Sequence, residues 1–124
     1  MSLASGINRR AILKLGQFDK SAARDDVMRR AIRSIPKGKV ATYSQVAAAS
    51  GYPMYARQVA RVLRVTKGLP WQRVVGAGGQ IKLNREMAYE QRLRLESEGV
   101  GFRGSRVDME KHQHVFRTWE FLPD

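Results

Sequence analysis

Residues 44–65 leave the chain few choices. Ser44 suits a helix start, Gln45–Ser50 holds no helix breaker, and Gly51 suits a helix end. A serine hydroxyl accepts from the free N–H groups of a first turn, and glycine takes the left-handed conformation that closes a last one. Gly51-Tyr52-Pro53-Met54 then supplies a turn, and Ala56–Val65 reads as a second helix. Two short helices across a glycine turn make a helix-turn-helix candidate. In the second helix Arg57, Arg61 and Arg64 fall within about 60° of one another at ~100° per residue. Val59, Val62 and Leu63 take the opposite side, the one expected in the core. A lone charged face is usually just solvated. Three arginines without an interleaved acid, flanked by the small Ala56 and Ala60, favour close approach to a phosphate backbone.

Charge points the same way. Lys and Arg number 23 against 11 Asp and Glu, a net charge of +12 at pH 7. Such an excess suits a polyanion, nucleic acid first, although self-repulsion also keeps a basic protein soluble. The 124 residues, 43% of them hydrophobic, suffice for one domain with one modest core. The chain has no Cys, which excludes disulfides, thiolate metal sites and cysteine catalysis. His112 and His114 lack the i, i+4 spacing of a helical ligand pair, so no metal is expected. Gly76, Gly78 and Gly79 mark a turn, not a phosphate loop, and no cofactor is expected. No apolar run approaches the ~18 residues that span a bilayer, and no signal-peptide stretch opens the chain, so no membrane partner is expected.

The remaining segments divide the chain into a basic extension over 1–24, a domain over 25–103 and a C-terminal extension over 104–124. The first is either a flexible arm or a helix docked on the core. Asp25 and Asp26 are expected to open a helix whose apolar face is Val27, Ala31, Ile32 and Ile35, and Pro36 stops it. Val40–Tyr43 is a short extended lead-in to the helix capped by Ser44. Trp71–Val75 reads as extended and buried, and Ile81–Leu83 as a strand pairing back on it. A last helix is expected over Met87–Glu98, with Tyr89 and Leu93 on one face and Gly99 as its stop. Phe116, Trp119 and Phe121 give the C-terminal end an aromatic character. The fold class is mainly α with a small β element.

Four segments, in order, resemble the C-terminal DNA-binding domain of the O6-alkylguanine-DNA alkyltransferases. They are Lys37-Gly38-Lys39-Val40-Ala41-Thr42-Tyr43, Gly51-Tyr52-Pro53-Met54-Tyr55-Ala56-Arg57-Gln58-Val59, Pro70-Trp71-Gln72-Arg73-Val74, and Glu98-Gly99. The third is the active-site segment, which reads Pro-Cys-His-Arg-Val in the enzymes. Trp71 stands for the nucleophilic Cys and Gln72 for the His. The chain therefore most resembles the alkyltransferase-like proteins, where Trp often replaces that Cys. The resemblance covers residues 25–103 and implies a winged helix-turn-helix-like domain that lies in the minor groove.

Roles follow position by position from the resemblance. Tyr43 matches the tyrosine that crowds a phosphate and helps rotate the target nucleotide. Arg57 matches the arginine that fills the vacated space. Tyr43, Ala56, Arg57, Ala60, Arg61 and Arg64 form the expected DNA face. Tyr43, Trp71, Arg73, Val74, Asn84 and Arg85 form the expected lesion pocket. The Val74 carbonyl would hold the flipped guanine, and the loop Lys82–Arg85 would close over it. Asn84 and Arg85 both fall where some alkyltransferase-like proteins place an arginine against that base. Thr66 stands where the enzymes carry a structural Asn. Of the enzymes' Cys-His-Glu set only Glu98 remains, reduced to a helix-end residue.

The implied function is non-enzymatic. A monomer binds duplex DNA containing O6-alkylguanine, flips the base and flags it to nucleotide excision repair proteins, in the cytoplasm and on the nucleoid. A helix-turn-helix transcription regulator is the alternative, but it needs more base-reading residues at the helix start than Arg57 and Gln58. An active alkyltransferase is excluded by the missing thiol.

Overall fold

The computed structural model describes the backbone over residues 9–117 and the side chains over 20–117. Trp119 and Phe121 lie outside these residues.

A single helix, α1, runs from Arg9 to Arg33. The start expected at Asp25 is absent because both aspartates act sideways. Asp25 accepts from Gln58 Nε2 at 2.9 Å and from Arg24 Nε at 3.3 Å, and lies 3.8 Å from Arg61. Asp26 lies 3.9 Å from Arg30, one helical turn on. Ser21-Ala22-Ala23-Arg24 offers no breaker before them, so the helix passes through.

Strand β1 (Ala41–Thr42) leads into α2 (Tyr43–Ala49). The cap is Thr42 and not Ser44. The Thr42 hydroxyl accepts from the Gln45 amide at 3.0 Å, and the Gln45 side chain accepts from the Thr42 amide at 2.9 Å. This reciprocal box satisfies two otherwise orphaned donors and sets the helix start one residue before Ser44. Gly51, at φ 89°, makes the expected left-handed exit. Helix α3 occupies Ala56–Val65, the bounds read from the sequence, and begins without a side-chain cap. Helices α1, α2 and α3 enclose the main core, which includes Met28, Ile32, Ile35, Val46, Val59 and Val62.

The middle of the chain departs from expectation. Trp71–Arg73 is one 3-10 turn, and only β2 (Val74–Val75) is extended. Strand β2 pairs parallel to β1, Ala41 with Val74 and Thr42 with Val75. Ile81–Leu83 forms no strand; the nearest pairing is a single bridge between Gln80 and Arg106. Helix α4 spans Arg85–Ser97, capped by Asn84, whose Oδ1 accepts from the Met87 amide at 3.0 Å. Its buried residues are Gln91 and Leu95, whereas Tyr89 and Leu93 face outward.

Beyond α4, β3 (Phe102–Arg103) and β4 (Arg106–Val107) form an antiparallel hairpin followed by a one-turn helix, α5 (Met109–His112). Val40, Val75, Leu95, Val100 and Val107 make a second small core beneath it. The Gly101 amide donates to His112 Nε2 at 2.9 Å, so Nδ1 carries the proton and meets the Gly38 carbonyl at 3.1 Å. Gly79 (φ 85°) lies against the hairpin so closely that a Cβ would strike the Val107 carbonyl. Among the described residues no helix is long and apolar enough to cross a membrane, and no group of three metal-ligating side chains assembles.

Candidate nucleic-acid interface and base pocket

An open cavity of about 370 Å³ lies between the start of α2, one side of α3, the Trp71 turn and the start of α4. Its walls are Tyr43, Ala60, Leu63, Trp71, Leu83 and Met87, with Arg64 the one charged residue. A second hollow of about 390 Å³ adjoins it, sharing Tyr43, Ala60, Arg64 and Leu83 and adding Ala56, Arg57 and Lys82 among others. Together they are a mainly apolar recess opening onto a cationic rim. Flat aromatic ligands suit such surroundings.

Each wall has a local cause. Tyr43 is the first residue of α2, so the Thr42 capping box fixes its Cα where the parallel β1–β2 pair ends. Burial raises the pKa of its phenol, and the Arg64 charge pulls the other way without cancelling that effect. The hydroxyl is therefore a neutral donor at physiological pH. Trp71 is half-buried in its 3-10 turn, with the Arg94 guanidinium 5.3 Å from the ring. Arg57, Arg61 and Arg64 are all exposed on α3. Arg61 leans toward Asp25 on α1, whereas Arg57 and Arg64 have no ion pair among the described residues. Lys82 reaches the recess across Gly76, where an added Cβ would come within 2.9 Å of the lysine stem.

The expected pocket is thus partly assembled. Tyr43 and Trp71 face each other across the cavity, and Leu63, expected in the core, is part of its wall. Asn84 spends its oxygen on capping α4, which leaves Arg85, exposed in the first helical turn, as the longer free arm of the two. Neither lines the cavity. Val74 is buried behind it, and its carbonyl accepts from Gln91 Nε2 at 2.9 Å. The same nitrogen reaches the Gln72 carbonyl at 3.0 Å. Met87 was not expected here, and Leu83 was expected only as part of a strand and of the closing loop. Their signal was slight: single apolar residues at a loop end and in a first helical turn.

Arg73 does not belong to the pocket. Its Nε and Nη2 donate to the two Glu98 oxygens at 3.0 Å each, and its Nη1 donates to the Ile35 carbonyl at 2.9 Å. Glu98 also accepts from Gln72 Nε2 at 2.8 Å. Burial alone would raise the Glu98 pKa. The hydrogen bonds from Arg73 and Gln72, the Arg73 charge and a Gly38 backbone donor together outweigh it and hold the pKa below its usual range. Glu98 is therefore more than a helix-end residue: it anchors the turn that presents Trp71. Thr66 has a lesser fixing role, its hydroxyl meeting Arg29 Nε at 3.1 Å.

No group in this recess can accept an alkyl group as a thiolate would. Gln72 is an amide and Trp71 an indole, and the chain holds no Cys.

The comparisons with known proteins agree with this geometry. The family model of the 6-O-methylguanine DNA methyltransferase DNA-binding domain matches residues 23–100. A DNA base-flipping protein of Escherichia coli is 38% identical over 120 residues, covering 91% of this chain and 93% of that one. Alkyltransferase-like protein 1 of Schizosaccharomyces pombe is 43% identical over 75 residues, 56% of this chain and 69% of that one. The S. pombe protein in complex with damaged DNA containing O6-carboxymethylguanine superposes with a TM-score of 0.66 at 28% identity, over 75% of this chain and 95% of that one. The O6-methylguanine methyltransferase of Mycobacterium tuberculosis gives 0.53 at 27% identity, over 60% of this chain and 47% of that one. With its helix-turn-helix, its Trp71 segment and these relatives, the chain belongs to the family of the 6-O-methylguanine DNA methyltransferase DNA-binding domain, among its alkyltransferase-like members.

Proposed function

We propose that the protein recognises O6-alkylguanine in duplex DNA by rotating the base into the Tyr43–Trp71 cavity, without transferring the alkyl group. The observation that carries this reading is an apolar recess with a cationic rim and no nucleophile inside it. Arg57 and Arg64 meet the minor-groove side of the duplex, and Ala56 and Ala60 let α3 come close. Tyr43 presses on the target phosphate, and Arg57 fills the place the base leaves. Extrusion costs a few kcal/mol, and an inserted side chain offsets part of it. The flipped ring lies against the Trp71 indole, where apolar area covers the alkyl group. The loop carrying Lys82 and Leu83 closes over it, with Arg85 as the arm toward the base. The protein acts as a monomer in the cytoplasm, and the bent complex is the signal read by nucleotide excision repair.

One variant and two duplexes test this. A duplex with a single O6-methylguanine should bind more tightly than its undamaged twin, and label on the methyl group should stay on the DNA. Trp71→Ala should keep its fold but lose much of the preference. Equal affinity for both duplexes would favour a sequence-reading regulator, and label on the protein would make it an enzyme. Were Trp71 only core, the variant would lose roughly 3–5 kcal/mol of stability, and both duplexes would be released together.

A further inference from the structure

The turn between α2 and α3 carries the most exposed large apolar side chain among the described residues, Met54 at 91%. It is held there. The Tyr55 amide donates to the Tyr52 carbonyl at 3.0 Å, closing a β-turn with Pro53 and Met54 at its corner. Proline fixes one backbone angle of that corner. The Tyr52 and Tyr55 rings meet edge to face at 5.4 Å, and the Arg24 guanidinium of α1 stands 5.4 Å from the Tyr55 ring. Tyr52 is partly buried and Tyr55, beside Arg24, is 43% exposed, whereas Met54 stands almost wholly in water. The fold gains nothing from an apolar side chain there.

Arg57 follows Met54 by three residues. Met54 lies in the turn, two residues before α3 begins at Ala56, so the chain between Met54 and Arg57 can span at most about 11 Å. Base steps repeat every ~3.4 Å. Met54 therefore lies within about three steps of the place Arg57 would enter. Apolar side chains set against minor-groove steps, methionine among them, unstack the bases and kink the duplex.

We propose that Met54 is a wedge, a second insertion element that opens a base step beside the one Arg57 enters. It rests on the base-flipping reading above and adds a specificity determinant to it. An apolar end that forces a neighbouring step apart lowers the further work of rotating the target out. A damaged, weakly paired guanine then yields where an intact pair does not.

The test uses the whole chain and duplexes carrying O6-methylguanine with 2-aminopurine one to three steps away, whose fluorescence rises on unstacking. Met54→Ala should melt like the parent, bind the lesion duplex about tenfold more weakly, as expected for withdrawing one apolar contact, and lose most of the fluorescence rise. Met54→Leu should keep both properties. Arg57→Ala runs in parallel as the control on the reading itself. If the parent shows no lesion preference, the base-flipping reading fails and the wedge with it. If the parent and Arg57→Ala behave as expected while Met54→Ala is unchanged, Met54 is an ordinary surface methionine and only the wedge falls. Equal losses for Met54→Ala and Met54→Leu, or equal losses on damaged and undamaged duplexes, also overturn it.

Discussion

Arg73 and Arg57 differ chiefly in what lies within reach. Behind the cavity, Arg73 gives every arm of its guanidinium to Glu98 and the Ile35 carbonyl, and the ion pair is largely sheltered, with side-chain exposures of 15% and 8%. In front, Arg57 and Arg64 stand exposed with no carboxylate among the described residues to hold them. The inner arginine fixes the turn that carries Trp71; the outer two stay available to an anion. One residue type thus holds the fold in one place and stands open to an anion in another. Supply of acid decides which: Glu98 lies 25 positions from Arg73, and among the described residues nothing comparable reaches Arg57.

The strongest way to break this contrast is to remove the inner acid. Glu98→Ala leaves a sheltered guanidinium and the Gln72 amide without their acceptor. A loss of roughly 3–5 kcal/mol in chemical denaturation is expected, the usual result of halving a buried pair. Acid should do the same reversibly. The folded Glu98 pKa is depressed, so its contribution is complete above the unfolded carboxylate value of about 4.3 and is lost as pH falls through the lower folded value. The denaturation midpoint of Glu98→Gln should fall less steeply on the acid side than that of the parent. Parallel acid limbs would remove Glu98 from this role.

A smaller effect is expected from the outer side. Arg57→Ala should leave stability within about 0.5 kcal/mol. Its affinity for a lesion duplex should drop by about 1–3 kcal/mol, the scale of the unstacking it offsets, with a lesser drop on undamaged DNA. A two-duplex titration reads both, and equal losses would reduce Arg57 to a backbone contact. Smallest is the change in salt response. With about four phosphates neutralised, log affinity should fall against log salt with a slope near −3.6. Arg64→Ala should flatten it by about 0.9, and Arg61→Ala by less, because Asp25 already holds that guanidinium at 3.8 Å. Equal changes at 61 and 64 would mean that the Asp25 contact does not persist on DNA.

Local patterns were legible in the sequence. Helix α3 has the bounds its wheel implied, Gly51 ends α2, and Tyr43 and Trp71 line one cavity. What escaped depended on partners far along the chain. Asp25 looks like a helix opener until Gln58 and Arg61 come beside it. Arg73 looks like a pocket arginine until Glu98 claims it. Leu63 belongs to the apolar side of its wheel, and only the arrival of Trp71 makes that side a cavity wall. Tyr89 and Leu93 share a helical face, but the second core takes Leu95 and leaves them in water.

The close seat of Gly79 against Val107 bears on how this module could be transplanted. Residues 76–80, which begin beside the second hollow, are steadied by a hairpin some thirty residues later, through that contact and the Gln80–Arg106 bridge. A chimera cut just after Glu98 would carry all the residues proposed to touch DNA and would still leave residues 76–80 unbraced. The graftable unit runs through Val107, and a donor tail would bring its own loop geometry to a foreign pocket.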